Sequence, residues 1–395
     1  FASPSSSPGA LLMAANGTTG TLSDAVGYVR EGVRAMKAYA PGEQKTGCIK
    51  LNTNECAWGP APAVLKAICS VTEDQLRLYP SPLCDKVRQA AADVFGVQPA
   101  QVLVGNGSDD CLTIIMRTFS QPGDSVACAW PTYSLYDTLA SIQGVAIQHV
   151  DWLTEPDPAL PDCVGVAGWH LPITGLLQTG ARVVFIANPN NPSATRVPLP
   201  ALEYLASHLK GILVVDEAYI DYACDGDGMA ASCLGRLGAY PNMIILRTFS
   251  KSYSMAGARL GLMFAHEELI DHMNKVKDSY NVNCLTQLAG EAALRDRAHF
   301  TWLVGETLQQ RKALETACAG FGWTWPASDA NFVLVDVGSP AKAGALYEKC
   351  RDAGVLVRYW GSRPELASKL RVTVGTKESV DKFVAICKEA LPSLP

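Results

Sequence analysis

Short apolar runs alternate with amphipathic stretches along the chain from residue 101 onward. The apolar runs predict β-strands at residues 102–104, 125–129, 145–149, 182–187, 212–215 and 243–246. The stretches between them show helical spacing, most clearly at residues 110–119, 133–143 and 200–209. Continuously apolar strands separated by helices indicate an α/β fold, in which helices cover both faces of a mostly parallel sheet.

The two ends of the chain predict elements outside this alternation. Helical spacing at residues 23–38 ends in turn-forming residues 39–42, a short strand is predicted near 49–55, and helices follow at 60–70 and 83–95. Helical sequence at 264–277 and 285–316 leads into a strand–helix–strand–strand–helix pattern over 328–395, which indicates a second, smaller α+β domain. The predicted parts are a flexible N-terminal segment with an arm helix (1–38), a large domain (61–290), and a small domain (39–60 with 291–395).

Composition narrows the class of protein. A net charge of −5 without a basic stripe argues against nucleic acid as a partner. No apolar run approaches the roughly 18 residues that a membrane-spanning helix needs. The 13 cysteines are scattered without a C-x-x-C pair. That pattern argues against a metal site and indicates small buried side chains in a reducing compartment.

The first residues of the chain bear on its location in the cell. Residues 1–22 are rich in Ser, Ala, Gly and Thr, which is typical of a flexible segment. We expect a cytoplasmic protein, or one of a plastid or another organelle if this segment is the remnant of a transit peptide. The serines and the absence of acids suit a transit peptide, whereas the expected arginines are missing.

The segment R-T-F-S-K-S-Y-S-M-A-G-A-R-L-G, residues 247–261, holds the first candidate for chemistry. Lys251 follows an apolar strand, where an unpaired ammonium would be costly to bury. A desolvated lysine with a lowered pKa can form a Schiff base with an aldehyde cofactor. Ser250 and Arg259 could then hold a phosphate through a hydroxyl and a charge-assisted hydrogen bond. From these residues alone, a surface lysine after a strand is an equally good interpretation.

Two polar loops follow predicted strands. The glycines of G-N-G-S-D at residues 105–109, with a helix N-terminus behind them, suit an anion such as phosphate. The pattern lacks the G-x-G-x-x-G of dinucleotide sites. The segment N-P-N-N-P at residues 188–192 lies at the carboxyl end of a strand, where ligands bind in open α/β sheets. Each loop can also be a plain turn.

Charged residues lie on or directly after three further predicted strands. Asp216 follows the strand at 212–215 and needs a cationic partner if it is buried. A protonated pyridine nitrogen would be such a partner, and capping of the next helix is the alternative interpretation. Arg358 and Arg371 lie on strand patterns of the small domain, and an arginine fork suits carboxylate or phosphate. Taken singly, each arginine is more often a surface residue.

The order of these motifs resembles that of one enzyme family. The phosphate turn, N-P-N-N-P, D-E-A-Y, S-K with Arg259 eight residues on, and the late L-R-V-T-V-G resemble the pyridoxal-phosphate aminotransferases of fold type I. Among them the chain is most similar to the histidinol-phosphate aminotransferase family, over about Tyr39 to Ala390. The resemblance implies pyridoxal 5'-phosphate as cofactor, L-glutamate and histidinol phosphate as substrates, a place in histidine biosynthesis, and a homodimer with shared active sites.

The resemblance also implies a role for each matching residue. Lys251 would carry the cofactor as a Schiff base and move the proton, and Asp216 would pair with the pyridine nitrogen. The 3'-oxygen of the cofactor would be bound by Asn191 and Tyr219, and its ring would stack on Tyr133. The cofactor phosphate would be bound by Ser108, Asp109, Thr248, Ser250, Arg259 and, from the second subunit, Tyr79. The substrate would be bound by Tyr39, Asn54, Arg358 and Arg371.

Some positions depart from the family's usual sequence and leave alternatives open. Ala194 stands where N-P-N-N-P-T-G has a glycine, and Cys56 and Ala57 stand where N-E-N-P has asparagine and proline. The lysine segment differs at residues 252–255 as well. The alternatives are an aminotransferase for aromatic amino acids, a decarboxylase of a phosphorylated amino acid, and a non-catalytic regulatory module. The intact set of chemical residues argues against the regulatory module.

Overall fold

The computed structural model describes residues 22–36 and 42–394, which fall in two units. The first unit contains helices α1 (Leu22–Gly27) and α2 (Glu31–Ala35). The prediction of one helix over 23–38 is therefore wrong, and residues 37–38 of it lie outside the described part. The chain leaves the helix after Gly27, a residue of low helix propensity, and Arg30 is extended with ψ 136°. Helices this short gain little stability from their own hydrogen bonds.

The second unit is built from two sheets and the helices that cover them. Its strands are β1 (Ile49–Leu51), β2 (Val102–Gly105), β3 (Ser125–Trp130), β4 (Ala146–Asp151), β5 (Val183–Ala187), β6 (Ile212–Asp216), β7 (Met243–Thr248), β8 (Gly261–Phe264), β9 (Phe332–Asp336), β10 (Val355–Tyr359) and β11 (Lys369–Thr373). Its helices are α3 (Pro62–Cys69), α4 (Glu73–Arg77), α5 (Asp85–Phe95), α6 (Ser108–Phe119), α7 (Leu135–Gln143), α8 (Ile173–Gln178), α9 (Leu199–His208), α10 (Gly228–Ala231), α11 (Glu267–Asn274), α12 (Cys284–Arg295), α13 (Arg297–Gly320), α14 (Pro340–Asp352) and α15 (Lys377–Ala390).

The larger sheet has seven strands in the order β2-β8-β7-β6-β5-β3-β4. Strand β8 is antiparallel to both of its neighbours, and the other neighbouring pairs are parallel. The predicted α/β fold with a mostly parallel sheet is confirmed. Strand β8 was not predicted, because its four residues follow directly on the lysine segment and give no clear period of their own.

Apolar side chains fill both faces of this sheet. Successive side chains of a strand point to opposite faces, and β5 illustrates the rule. Val184 and Ile186 belong to one cluster, which includes residues of α5, α9 and α12. Val183 and Phe185 belong to another, which includes residues of α6, α7 and α11. Because β5 is buried on both faces, its sequence is continuously apolar, as parallel strands of this kind require.

The smaller sheet has the order β1-β10-β11-β9. Strand β1 is parallel to β10, and the remaining pairs are antiparallel. The elements from β9 to α15 follow the predicted strand–helix–strand–strand–helix pattern. The apolar cluster of this sheet includes Phe383 of α15 and Leu346 of α14. The exact division of the chain into a large and a small domain stays a prediction.

Most cysteines are buried, as their scattered positions predict. The buried ones are Cys84, Cys111, Cys128, Cys233, Cys318, Cys350 and Cys387. Cys69 and Cys224 are exposed, so the prediction does not hold for every cysteine. In the part of the chain that the structure describes, no helix combines the length and apolar composition needed to cross a membrane.

Candidate active site

A cavity of about 350 Å³ opens at the carboxyl edge of the larger sheet. Strands β3, β5, β6 and β7 are parallel, so the residues that follow them emerge at the same edge, where ligands bind in open α/β sheets. Tyr133 follows β3, Asn191 follows β5, Asp216 ends β6 and Lys251 follows β7, and all four line the cavity. A volume of this size suits a small organic ligand.

The structure brings most of the predicted site residues together. Those that line the cavity are Asn54, Ser108, Asp109, Tyr133, Asn191, Asp216, Tyr219, Thr248, Ser250, Lys251, Arg259, Arg358 and Arg371. Tyr79 does not line it: the side chain is 81% exposed and stacks on Tyr280, with 4.5 Å between the ring centres. Tyr39 lies outside the described residues, so its predicted position is not seen.

Lys251 is partly buried in the cavity, in the turn after β7. Its Nζ donates to the carbonyl oxygen of Thr53 at 3.3 Å and lies 5.7 Å from the centre of the Tyr219 ring. Burial away from water and the nearby positive charge of Arg371 lower the pKa of Lys251 to about 8. A neutral amine is a nucleophile, so Lys251 is suited to attack an aldehyde near neutral pH.

Asp216 is a buried carboxylate that faces the cavity. Its Oδ2 accepts a hydrogen bond from the hydroxyl of Tyr136 at 3.0 Å. The ion pairs nearby join Arg247 to Glu217 and Asp221, and among the described residues no lysine or arginine pairs with Asp216. Burial raises the pKa of Asp216 to about 6, although the bond from Tyr136 opposes the rise. Such a carboxylate is suited to bind the cationic group of a ligand.

Amide and guanidinium groups connect the two sheets across the cavity. Arg371 of β11 is buried and donates to Oδ1 of Asn191 and to the carbonyl oxygen of Asn52, each at 2.5 Å. Asn54 donates through Nδ2 to the hydroxyl of Tyr219 at 3.1 Å. Asn54 has a φ of 57°, a left-handed conformation that asparagine tolerates better than most residues. These bonds fix the polar groups that face the centre of the cavity.

One end of the cavity collects donors that suit a phosphate. Ser108 is the first residue of the 12-residue helix α6, so its backbone N–H is one of the donors that a helix leaves unpaired. The hydroxyl oxygens of Thr248 and Ser250 lie 3.0 Å apart. Arg259 also lines this part, with Nη2 bonded to the carboxylate of Asp109 at 2.9 Å.

Gly107 is required for the shape of this anion site. Its φ is +89°, in the region that side chains rarely adopt. A Cβ at this position would also lie 2.6 Å from Nη2 of Arg259. A larger residue would therefore strain the turn and displace the guanidinium from it.

Two arginines and a tryptophan occupy the part of the cavity formed by the smaller sheet. Arg358 of β10 and Arg371 of β11 are paired in the sheet register. Their guanidinium carbons lie 5.3 Å and 5.4 Å from the centre of the Trp360 ring. The N–H donors of a guanidinium form a planar fork that matches a carboxylate or a phosphate, so both arginines are suited to bind anions.

No role was predicted from the sequence for three residues near the site: Tyr136, Trp360 and Arg363. Trp360 and Arg363 line the cavity and follow Arg358 closely in V-L-V-R-Y-W-G-S-R, so the aromatic and basic composition of that segment was a usable signal. Tyr136 lies three residues after Tyr133, a helical spacing, but its partner Asp216 is distant in sequence. No local pattern joins that pair.

Ala194, which stands where the family's usual sequence has a glycine, adopts a backbone conformation that favours glycine. Ala194 has a φ of 66° and is fully buried beside Tyr219 and Phe332. A left-handed conformation costs an alanine roughly 1–2 kcal/mol relative to its normal one. Burial of its methyl group returns about 0.8 kcal/mol. The backbone therefore keeps the conformation of a glycine turn, and Asn191 stays at the cavity wall.

The arrangement has three features that fit one kind of organic cofactor. The amine of Lys251 can bind an aldehyde, the carboxylate of Asp216 can bind a protonated ring nitrogen, and the donors around Ser108 can bind a phosphate. In the described residues, no group of three or more His, Cys, Asp or Glu side chains is placed to hold a metal ion. Arg358 and Arg371 line the same cavity, and their guanidinium groups suit an anionic substrate.

Comparison with known proteins identifies the family. The model of the family "Aminotransferase class I and II" matches residues 46–386. The histidinol-phosphate aminotransferase 1 of Trichormus variabilis is 38% identical over 92% of this chain and 99% of its own length. The histidinol-phosphate aminotransferase of Synechocystis is 39% identical over 90% of this chain and 96% of its own length.

A solved structure gives the same result for the fold. The histidinol-phosphate aminotransferase from Sinorhizobium meliloti, in complex with pyridoxal-5'-phosphate, has a TM-score of 0.81 and 26% identity. The match covers 93% of this chain and 98% of that one. The predicted fold type is therefore confirmed. The chain belongs to the class I and II aminotransferases, and within them to the histidinol-phosphate aminotransferase family.

Proposed function

We propose that this chain transfers an amino group from L-glutamate to imidazole acetol phosphate, giving 2-oxoglutarate and L-histidinol phosphate in histidine biosynthesis. The observation that carries the proposal is one cavity that holds Lys251 and Asp216 together with Arg358 and Arg371. The amine and the carboxylate serve the chemistry, and the two arginines serve anionic substrates. Family membership supports the same reaction.

Pyridoxal 5'-phosphate is the cofactor that these residues fit. Lys251 would bind its aldehyde, and Asp216 would bind its ring nitrogen and keep it protonated. When bound, the cofactor supplies an aldehyde that takes up the amino group and a ring that withdraws electrons from the substrate carbon. Asn191 and Tyr219 would bind the 3'-oxygen, and Tyr133 would lie against the ring. The residues that would hold the phosphate are Ser108, Asp109, Thr248, Ser250 and Arg259.

Lys251 would act as the acid–base group of the reaction. With a pKa of about 8, its amine can take up and release a proton near neutral pH. Nζ would accept the proton from the substrate carbon that bears the amino group and hold it for return to the product. Glutamate is oxidised to 2-oxoglutarate while the ketone is reduced to an amine, so the two half-reactions balance without another oxidant.

The arginine part of the cavity would bind both substrates. L-Histidinol phosphate has no carboxylate, so the same site must accept a carboxylate from glutamate and a phosphate from the other substrate. Arg371 would bind the α-carboxylate or its equivalent, and Arg358, with Tyr39, would face the distal phosphate. Asn54 would lie beside the reacting centre, where it bonds Tyr219. Guanidinium forks suit both anions.

A second subunit would complete the site. Tyr79 does not line the cavity of its own chain and is exposed, in the segment Y-P-S-P, whose prolines restrict the backbone. In a homodimer it would reach the cofactor phosphate of the partner. The compartment, cytoplasm or a plastid, stays a prediction, which fractionation of the source cells would test.

Absorbance spectroscopy of the purified holoenzyme tests the reaction. L-Glutamate should convert the aldehyde form of the cofactor to the amine form, and L-histidinol phosphate should do the same with a higher kcat/KM. A substrate panel with phenylalanine, tyrosine and phosphoserine separates the alternatives. A preference for phenylalanine would favour an aromatic aminotransferase, and release of carbon dioxide would favour a decarboxylase. No spectral change with any amine would contradict an aminotransferase.

A further inference from the structure

Arg363 lines the cavity but has no part in the roles described above. It lies in the loop between β10 and β11. Its backbone N–H donates to the carbonyl oxygen of Trp360 at 3.0 Å, and its own carbonyl accepts from the N–H of Leu366 at 3.0 Å. A hydrogen-bonded turn therefore fixes the point from which the side chain extends.

The guanidinium of Arg363 stacks on a residue of the other sheet. Its central carbon lies 4.7 Å from the centre of the ring of Trp130, the last residue of β3. The ring of Trp130 is stacked on His149, with 4.1 Å between the centres, and the Trp130 carbonyl accepts from the N–H of Trp152 at 3.1 Å. Trp130 is therefore a fixed platform, and the contact places a cation of the smaller sheet beside the larger one.

Stacking leaves the hydrogen-bond donors of Arg363 available. A guanidinium stacks through its face, whereas its five N–H groups point outward in its plane. Among the described residues, no carboxylate forms an ion pair with Arg363, and no acceptor takes a hydrogen bond from its side chain. A partly buried arginine of this kind at a cavity wall is suited to an anionic ligand.

We propose that Arg363, stacked on Trp130, is a specificity-determining residue that binds the phosphate of the substrate and favours a phosphate ester over glutamate. The inference rests on the proposed function and extends it. Near pH 7 a phosphate monoester carries a charge of about −1.5 to −2, whereas the side-chain carboxylate of glutamate carries one negative charge. Arg358 and Arg371 already face any anion in this part of the cavity. A third guanidinium therefore gains more from the doubly charged phosphate than from a carboxylate.

The two half-reactions of the holoenzyme separate this role from a structural one. Arg363→Gln should lower kcat/KM for histidinol phosphate by about 10–100-fold and change that for glutamate by less than about threefold. Arg351→Gln is the matched control. Arg351 also stacks on an aromatic ring, that of Tyr347 at 5.9 Å, but it pairs with Glu348 and lies on α14 away from the cavity. The control should leave both half-reactions unchanged.

Two further variants test the contact between Trp130 and Arg363. Trp130→Leu should also lower the ratio of kcat/KM for histidinol phosphate to kcat/KM for glutamate, but by a smaller factor than Arg363→Gln. The charge of Arg363 remains in this variant, whereas the orientation of its guanidinium is lost. Arg363→Lys should give an intermediate ratio, since an ammonium keeps the charge but neither stacks nor forks as a guanidinium does. Equal losses for both substrates in Arg363→Gln, or no loss for either, would overturn the proposal.

Inhibition by inorganic phosphate tests phosphate binding by Arg363 without histidinol phosphate. The inhibition constant of phosphate against the holoenzyme, measured with glutamate as the varied substrate, should rise about tenfold or more in Arg363→Gln and stay unchanged in Arg351→Gln. If the wild-type enzyme rejects histidinol phosphate, the proposed function fails, but the phosphate constants still decide whether Arg363 binds phosphate. If the wild type accepts histidinol phosphate and phosphate inhibits both variants equally, the inference on Arg363 fails alone.

Discussion

The hydroxyl of Tyr136 donates a hydrogen bond to Oδ2 of Asp216 at 3.0 Å. The ring of Tyr136 is fixed by stacking on Phe185, with 4.9 Å between the centres. Burial disfavours the ionised form of Asp216, and this bond favours it. The tyrosine therefore helps to set the charge of the carboxylate proposed to bind the ring nitrogen of the cofactor.

Tyr136→Phe should raise the pKa of Asp216 above about 6, because it removes a donor to the carboxylate. More of the carboxyl group is then neutral at pH 6, whereas at pH 8 it is ionised in both proteins. The variant should therefore bind pyridoxal 5'-phosphate about tenfold more weakly at pH 6 and closer to normally at pH 8. Titration of the cofactor-free protein at the two pH values measures this. Equal weakening at both would mean that the hydroxyl acts through packing.

Asp216→Asn should stabilise the cofactor-free protein at pH 8 and remove most of the activity of the loaded enzyme. A carboxyl group whose pKa rises from 3.8 to about 6 on folding favours the folded state below pH 3.8 and loses that contribution as pH rises through 6. The shift corresponds to on the order of 3 kcal/mol above pH 6, which the neutral amide avoids. Urea unfolding should give the variant a larger advantage at pH 8 than at pH 5. A cofactor-free variant less stable than the wild type at pH 8 would contradict the prediction, and near-native turnover would contradict the role of Asp216.

The parallel strands and the loops after them could be predicted from the sequence because the signals are local. A strand buried on both faces is continuously apolar, and β5, β6 and β7 lie where such runs occur. Asn191, Asp216 and Lys251 lie at or just after the ends of these strands and are polar in an apolar context, which marks them as candidates. The order of the strands in the sheet depends on pairing between distant segments, so these local signals do not give it.

Other features depend on contacts between distant parts of the chain. Strand β1 pairs with β10, which lies about 300 residues later in the sequence. The three residues of β1 carry no signal that identifies this partner. Trp130 and Arg363 meet only because both sheets border one cavity. The bond between Tyr136 and Asp216 likewise joins a helix and a strand that only the fold brings together. These pairs have no local signature in the sequence, because their members are brought together only by the fold.

The pKa of Lys251 predicts how the rate of cofactor binding by the cofactor-free protein depends on pH. With a pKa of about 8, the neutral fraction of the amine rises from about a tenth at pH 7 to about nine tenths at pH 9. The rate of reaction with pyridoxal 5'-phosphate should therefore rise about tenfold over this range and level off above pH 9. A lysine with an ordinary pKa would give a rate that is still rising at pH 10.

Borohydride reduction identifies the lysine that reacts. The pyridoxyl label should map to the peptide that contains Lys251, and Lys251→Ala should abolish it. Lys275→Ala is the control, since Lys275 lies on the surface beside His272. A label on any other lysine would mean that the assignment is wrong.

The exposed stack of Tyr79 on Tyr280 gives a test of the shared active site. Tyr79→Phe should weaken cofactor binding if the hydroxyl reaches the phosphate in the partner subunit. Tyr280→Phe keeps the stacked ring and should leave cofactor binding unchanged. Size-exclusion chromatography with light scattering should give a dimer, and a monomeric active enzyme would contradict the shared site.

Subunit mixing tests the same point directly. When Lys251→Ala and Tyr79→Phe subunits are refolded together in equal amounts, half of the dimers are mixed, and each mixed dimer has one site free of both lesions. About a quarter of wild-type activity should therefore return. Activity no higher than the sum of the two parents would place both residues in the same subunit's site.

Arg358 is the residue for which substrate preference gives the clearest result. It lines the cavity beside Trp360, and its Cα is paired with that of Arg371 in the sheet. Removing a charged hydrogen bond to a buried anion typically costs about 2–5 kcal/mol. Arg358→Ala should therefore lower kcat/KM for histidinol phosphate by roughly 30-fold or more. Phenylalanine has no phosphate to lose, so any activity with it should fall less.

Arg182→Ala is the matched control for Arg358→Ala, because Arg182 is exposed and pairs with Asp124 at the amino end of β5. It should leave kcat/KM for both substrates unchanged. Equal losses for histidinol phosphate and phenylalanine in Arg358→Ala would mean that Arg358 is structural or binds a group common to both. Arg371 lies beside Arg358 on the antiparallel strand but is proposed to bind the α-carboxylate or its equivalent. Arg371→Ala should therefore lower kcat/KM for glutamate and for histidinol phosphate together. The contrast between the two variants then separates recognition of the distal phosphate from recognition of the group nearest the reacting carbon.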